Sequence, residues 1–210
     1  MADLAALGKA IEAGDRATAV PLTREAIAAG VPVQEILDAM TEAMAVTGAR
    51  FQANEVWVPG MLIAARAMKE CMAILEPLLV QAGIKPKYTA VIGTAQGDLH
   101  DIGKNLVAMM WRGANFNVID LGTNVSADRY VAAVREHQAN IVGVSALLTT
   151  TMPAMKEAVI ALRAAGLAGL KIVIGGAPVT QEFANEIGAD GFAADAGSAV
   201  EVVQRLVGAA

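Results

Sequence analysis

Cysteine is almost missing from this sequence. The one thiol among 210 residues, Cys71, has no cysteine to pair with. That excludes an internal disulfide and fits a reducing compartment. Cys71 lies in an apolar helical pattern, so we expect it to be a buried small hydrophobe.

Runs of basic residues are missing as well. Lys and Arg number 16 against 21 Asp and Glu, which gives a net charge of −5. Nucleic-acid binding depends on clustered positive charge at the phosphates. We therefore expect no nucleic-acid partner.

A long uninterrupted apolar run is the third absence, although hydrophobic residues make up 55% of the chain and mean hydropathy is +0.48. The main uncharged stretch, residues 138–155, contains amide, hydroxyl and proline residues. A bilayer helix needs about 20 mostly apolar residues, so we expect no membrane partner. The start of the chain carries an early acid at Asp3 instead of a basic region, which argues against a signal peptide and predicts a cytoplasmic protein.

The first part of the chain has the apolar spacing of helices. Steps of three and four residues recur in four segments up to about residue 85, as in a helical bundle. Residues 81–87 combine Gly, Pro and two lysines and read as a linker. We predict a helical-bundle domain over residues 1–85 and a second domain over residues 86–210.

Beyond the linker, short β-branched runs alternate with helical patterns. The runs are Thr89–Ile92, Asn117–Asp120, Ile141–Ser145, Lys171–Ile174 and a weak one at Asp190–Phe192, and the last helix is Ser198–Val207. Alternating βα units predict an α/β fold, a Rossmann-like (flavodoxin-like) five-stranded parallel sheet.

A glycine-rich loop follows the first predicted strand. Asp98, His100 and Gly103 form Asp-x-His-x-x-Gly, which places one imidazole beside one carboxylate. A metal-ligating histidine needs such an acceptor for its second ring nitrogen. One histidine cannot hold a free zinc ion, but it could bind a metal that arrives in a macrocycle. The alternative is an Asp–His pair that only satisfies amides at a helix N-terminus.

The expected strand order, 2-1-3-4-5, would make strands one, three and four neighbours. Ligands bind at the carboxyl ends of such strands. Those ends carry Gly97–Gly103, Ser145–Leu147 and Gly175-Gly176. The small residues would leave a slot between sheet and helices for a long group, with the Ser145 hydroxyl available to bond it.

These three segments together resemble the signature of cobalamin-binding domains. The loop from Gly97 to Asn105 is similar to that of methionine synthase and of the small corrinoid proteins of methyltransferase systems, and the resemblance covers nearly the whole chain. The residues that it identifies as cofactor-binding are Gly97, Asp98, Leu99, His100, Asp101, Ile102, Gly103, Ser145, Leu147, Thr149, Gly175 and Gly176.

The resemblance implies that cobalamin or a related corrinoid binds base-off/His-on, with His100 as the lower ligand of cobalt. Asp98 would accept the other His100 N–H, and Thr151 would continue the relay, so Asp98 and Thr151 are the expected catalytic pair. The cofactor's nucleotide tail would enter the slot. The N-terminal helices would cap the methyl-bearing face.

The function implied by the resemblance is that of a methyl carrier without turnover of its own. A substrate-specific methyltransferase would load the methyl group, and a second one would pass it to tetrahydrofolate or coenzyme M. A reductive activase would restore oxidised cobalt. Length and the run from Ser145 to Thr151 favour carriers that serve O-demethylases or methylamine systems.

Several alternatives stay open. A cobalamin-sensing regulator would carry a DNA-binding segment, and the B12-binding subunit of a mutase would lack the helical cap. Asp98 could instead be the phospho-acceptor of a receiver-like domain. Asp120 could mimic a ribose-binding acid, but Gly-x-Gly-x-x-Gly is absent after the first strand. We expect His137 to lie near a helix C-terminus, where the helix dipole favours a cation, and not to bind a metal.

Overall fold

The computed structural model describes residues 3–208. Met1 and Ala2, which belong to the start considered for a signal peptide, lie outside that range. The chain forms two compact units, one up to Lys87 with Gly113–Asn115, the other Tyr88–Arg112 with the chain from Phe116 on. The domain boundary between residues 85 and 86 stays a prediction.

The first unit contains four helices. They are α1 (Leu4–Glu12), α2 (Arg16–Ala28), α3 (Val33–Gln52) and α4 (Val58–Gln81). Asp3 and Asp15 cap α1 and α2 by accepting hydrogen bonds from the backbone N–H groups of Ala6 and Thr18. The predicted helical bundle is confirmed.

The core of this unit is aliphatic and rich in methionine. α1 packs against α2 and α3, and α4 packs against α2 and α3. The buried side chains include Leu7, Ile11, Ile36, Met40, Met44, Met61, Met68 and Leu75. Cys71 is fully buried, as expected, and burial raises the pKa of its thiol. None of the helices in residues 3–208 is long and apolar enough to cross a bilayer.

The second unit is a five-stranded parallel sheet with the predicted order, β2-β1-β3-β4-β5. Its strands are β1 (Thr89–Thr94), β2 (Asn117–Asp120), β3 (Ile141–Ser145), β4 (Lys171–Gly175) and β5 (Gly191–Ala193). Its helices are α5 (Ile102–Gly113), α6 (Ala127–His137), α7 (Met152–Ala164), α8 (Gln181–Ile187) and α9 (Ala196–Val207).

Four element boundaries differ from the predicted ones. β4 continues one residue further, to Gly175, which pairs with Ser145. β1 continues to Thr94 because its last two residues pair with Val144 and Ser145. β5 lies one residue later than predicted. α9 begins earlier, at Ala196, because Asp195 and Ser198 form a reciprocal capping box ahead of the apolar positions.

Pairing across the sheet aligns the strand ends that the sequence singled out. Thr94 pairs with Ser145, and Ser145 pairs with Gly175. The carboxyl ends of β1, β3 and β4 therefore form one continuous edge. Away from it, His137 occupies the last turn of α6, where a cation is favoured.

Candidate functional site

The centre of the site is the carboxylate of Asp98, which is fully buried. Its Oδ1 accepts the backbone N–H of His100 at 3.0 Å and lies 2.8 Å from Nδ1 of the same residue. Its Oδ2 accepts the backbone N–H of Leu147 at 2.7 Å and the hydroxyl of Thr151 at 2.8 Å. One side chain thus joins the loop after β1 to the turn after β3.

These contacts fix the charge of Asp98. Burial, the largest single influence, raises its pKa, but four hydrogen bonds outweigh it: from the backbone of His100 and Leu147, and from the side chains of Thr151 and His100. The pKa of Asp98 therefore falls well below its usual range, and the group is an ionised acceptor.

The charge of Asp98 in turn sets the His100 tautomer. An ionised carboxylate can only accept, so Nδ1 carries the proton and donates it. The lone pair then lies on Nε2. Because the His100 side chain is 51% exposed, Nε2 is accessible and can bind a metal ion from outside the protein.

Asn124 supports the loop from the neighbouring β2–α6 turn. Its side-chain oxygen accepts the backbone N–H of Gly97 at 2.8 Å, and its own N–H donates to the Asp98 carbonyl at 3.0 Å. Asn124 has a left-handed backbone, with φ of 55°. The sequence reasoning missed this residue: an asparagine in a Gly-Thr-Asn turn favours that conformation, but its partner is distant in sequence.

A second unpredicted contact holds α5 against β2. Lys104 is only 3% exposed, and its Nζ lies 2.7 and 2.6 Å from the two oxygens of Asp120 and 2.6 Å from Asn105 Oδ1. Asp120 also accepts the N–H of Gly122 at 2.9 Å. Asp120 is therefore a structural anion that pairs with a buried lysine at the first turn of α5.

Exposed leucine and isoleucine side chains accompany His100. Leu99 and Ile102 flank it in sequence and are 73% and 74% exposed. Leu147 and Leu148, whose N–H groups both point to Asp98, are 43% and 42% exposed. We call these four residues the apolar rim. Large apolar side chains gathered at one exposed edge mark a surface that binds something.

Glycines govern how closely the strand ends approach one another. A Cβ at Gly176, where φ is 132°, would overlap the carbonyl oxygen of Ala146, and a Cβ at Gly175 would lie 2.8 Å from that of Ala193. Gly97, with φ of 83°, makes the turn into the loop. A Cβ at Gly103 would meet nothing within 4 Å, which leaves open space at the start of α5.

The other predicted residues occupy the same edge with different environments. Ser145 is half-buried and Thr149 is exposed at the start of the 3-10 turn Thr149–Thr151. In residues 3–208, no hydrogen bond joins either hydroxyl to the Asp98 network. Asp101 is exposed, and its Oδ2 accepts from Asn105 Nδ2 at 3.0 Å.

The arrangement fits a metal held in a macrocycle. It offers one outward nitrogen, oriented by a carboxylate, with an apolar rim for a flat ring. Three or more His, Cys, Asp or Glu side chains that could bind a metal together occur nowhere in the described part of the chain. The half-buried hydroxyl of Ser145, beside a glycine on β4, suits an appended polar tail.

Comparison with known proteins agrees with this fit. A B12 binding domain model matches residues 88–204, and a second B12 binding domain model matches residues 4–76. A corrinoid protein of Desulfitobacterium hafniense is 38% identical over 207 residues, which cover 96% of this chain and 96% of that protein. Trimethylamine corrinoid protein 2 of Methanosarcina acetivorans is 38% identical over 197 residues, 92% of this chain and 91% of that protein.

A solved structure extends the likeness to three dimensions. The methanol:cobalamin methyltransferase complex MtaBC from Methanosarcina barkeri contains a chain that matches with a TM-score of 0.87 and 30% identity. The match covers 99% of this chain and 80% of the other. The chain belongs to the B12-binding corrinoid proteins of methyltransferase systems.

Proposed function

We propose that this protein carries a methyl group on a corrinoid whose cobalt is ligated from below by Nε2 of His100. The observation that carries the proposal is the buried Asp98 carboxylate, which holds Nδ1 at 2.8 Å and so directs Nε2 outward. The cobalt of bound cobalamin or a related corrinoid would supply the centre that accepts and donates the methyl group.

Asp98 and Thr151 would set how well His100 binds the metal. An ionised carboxylate that accepts the Nδ1–H orients the ring and strengthens Nε2 as a ligand. Thr151 donates to the opposite Asp98 oxygen at 2.8 Å and moderates that carboxylate's charge. Base-off/His-on binding requires that the cofactor's own base has left the cobalt.

The displaced tail would lie in the slot at the ends of β3 and β4. Ser145 offers a half-buried hydroxyl there, and its register partner Gly175 has no side chain to obstruct the tail. Gly176 keeps the next turn close to β3. The apolar rim would contact the lower face of the corrin ring.

The partners would be two methyltransferases and a reductive activase. Relatives are named for trimethylamine and dimethylamine, and a structural relative for a methanol methyltransferase complex. These names support a donor-specific methyltransferase as the first partner and a methylated amine as the donor. The acceptor would be tetrahydrofolate or coenzyme M.

Histidine ligation can be tested with isotope labelling. Protein grown with 15N-histidine is loaded with Co(II) cobalamin, and the EPR superhyperfine pattern is recorded. Ligation by His100 predicts a change from three lines to two on labelling, whereas coordination by the cofactor's own base would leave three lines and refute the proposal.

Two variants make the test specific, because the chain contains only two histidines. His100→Ala should abolish the histidine pattern, while His137→Ala should retain it. The carrier role has its own test: methylation of the bound cofactor from trimethylamine should require an added methyltransferase. Methylation at the same rate without one would contradict the carrier role.

A further inference from the structure

Thr94, the last residue of β1, contacts His100 directly. Its Oγ1 donates a hydrogen bond to the backbone carbonyl of His100 at 3.0 Å. Thr94 is 0% exposed, so water does not compete for the hydroxyl. This hydrogen bond joins the end of β1 to the main chain of the proposed cobalt ligand, and it does not involve Asp98.

The main chain of Thr94 is itself fixed on both sides. On one side it pairs in register with Ser145 of β3. On the other side, in the turn after β2, the Gly122 carbonyl accepts its N–H and the Val125 N–H donates to its carbonyl, both at 2.9 Å. The hydroxyl therefore extends from a rigid part of the sheet, and rigid elements place functional groups more precisely than loops do.

The contacts of Asp98 and Thr94 lie on opposite sides of the His100 main chain. Asp98 Oδ1 accepts the His100 backbone N–H and lies 2.8 Å from Nδ1, so Asp98 holds the ring and the peptide group that precedes His100. Thr94 holds the peptide group that follows it. With both peptide groups held, the direction of the His100 Cα–Cβ bond is fixed, whereas Asp98 alone contacts only the first of them.

We infer that Thr94 is a positioning residue for the cobalt ligand. The inference rests on the proposed corrinoid function and deepens it, because Thr94 acts through the main chain of His100 and not through its ring. A functional side chain must be held within about 0.5 Å of its productive position. Nε2 lies at the far end of the imidazole, so a small rotation of the His100 backbone displaces this nitrogen more than it displaces the backbone itself.

Cobinamide is the probe, because it has no lower base and any nitrogen ligand below its cobalt comes from the protein. Thr94→Val keeps a β-branched side chain of similar size and removes the hydroxyl, whereas Thr94→Ser keeps the hydroxyl. The matched control is Tyr88→Phe, which removes a hydroxyl that donates to the Val207 carbonyl at 2.8 Å. Tyr88 precedes β1, at the opposite end of that strand from Thr94. Each variant is compared by its dissociation constant for Co(II) cobinamide, the EPR nitrogen splitting of the bound cobalt and the midpoint of thermal unfolding.

Thr94→Val should bind cobinamide about tenfold more weakly than wild type, as for other residues that orient a metal ligand. At saturation, part of its cobalt should lack the nitrogen splitting that the wild-type protein gives. Thr94→Ser and Tyr88→Phe should bind within about twofold of wild type and retain the full splitting. Thr94→Val and Tyr88→Phe should both lower the unfolding midpoint by a few degrees, so the difference between them in ligation does not come from stability.

A hydroxyl that only stabilises the fold gives a different result. Thr94→Val would then match Tyr88→Phe in both cobinamide affinity and nitrogen splitting, and the inference alone fails. If Thr94→Val does not fold, Thr94→Ala takes its place, since it lacks the hydroxyl and adds no bulk, and the same comparison decides. If the wild-type protein shows no nitrogen splitting with bound cobinamide, ligation by His100 is wrong and the proposed function fails with it.

Discussion

Asp98→Asn removes one acceptor oxygen and the negative charge from the centre of the site. Whichever way the new amide turns, its NH2 group faces the backbone N–H of either His100 or Leu147, which lie 3.0 and 2.7 Å from the two oxygens. The His100 ring can change tautomer, and the Thr151 hydroxyl retains the Leu148 carbonyl at 2.9 Å. A peptide N–H has no such alternative.

The expected loss follows from these contacts. One buried N–H without an acceptor costs roughly 1–3 kcal/mol, and the remaining hydrogen bonds lose about 1 kcal/mol of charge assistance. We therefore expect Asp98→Asn to lower the free energy of unfolding by about 2–4 kcal/mol at neutral pH. Urea unfolding of the cofactor-free chain measures it. Trp111 fluorescence in a Trp57→Phe background reports the second unit alone, since the chain's two tryptophans fall one in each unit.

The pH dependence of the free energy of unfolding provides a second test of the role of the Asp98 charge. The native pKa of Asp98 lies below the unfolded value of about 3.9, so its stabilisation is complete above that pH and is lost as pH falls below it. The difference in free energy of unfolding between wild type and Asp98→Asn should therefore decrease by about 1 kcal/mol between neutral pH and about pH 3.

The matched control is Asp101→Asn, a change at an exposed carboxylate on the same loop with one hydrogen bond, from Asn105. It should cost at most about 0.5 kcal/mol. The proposed role of the Asp98 carboxylate would be refuted if Asp98→Asn lowered the free energy of unfolding by less than about 1 kcal/mol. It would also be refuted if the difference in free energy of unfolding from wild type did not change with pH.

Two further substitutions test the supports of the site. Lys104→Met leaves Asp120 without the ammonium that lies 2.7 and 2.6 Å from its oxygens; we expect a loss of about 2–4 kcal/mol by urea unfolding, part of which a second change, Asp120→Asn, should restore. Gly176→Ala drives a Cβ into the Ala146 carbonyl and should cost more than about 3 kcal/mol in thermal unfolding or prevent folding. Gly188→Ala has a positive φ of 79° but open space and should cost only about 1 kcal/mol; similar losses in both glycine variants would contradict this difference.

Much of the fold was predictable because its signals are local. Runs of β-branched residues separated by helical patterns defined the strands, and the parallel βα topology leaves few possible orders. The predictions were wrong only about where some strands and helices begin or end. β1 extends over Gly93 and Thr94 because of pairing with β3, which no local pattern encodes, and α9 starts early because of a capping box that depends on serine, not on an apolar residue.

The site was predictable where its residues fall in one short motif. Asp98 and His100 are two residues apart, so their contact could be expected from spacing alone. The pairing of Lys104 with Asp120 and the contact of Asn124 with Gly97 join different βα units. Their geometry depends on how neighbouring strands pair and how the turns bend. In addition, a lysine in the first turn of a helix is ordinarily expected to be exposed to solvent.

The turn after β3 determines the orientation of the His100 ring indirectly, through Asp98. Half of the His100 side chain is exposed, so packing cannot orient the ring, and the Asp98 carboxylate must. That carboxylate is in turn fixed by the Leu147 N–H and the Thr151 hydroxyl, groups some 50 residues away in the chain. For this purpose Leu147 contributes its backbone, while its exposed side chain belongs to the apolar rim. A side-chain change at Leu147 should therefore alter the apolar rim and leave the His100 ring in place, whereas a change at Thr151 should disturb the ring and leave the rim unchanged.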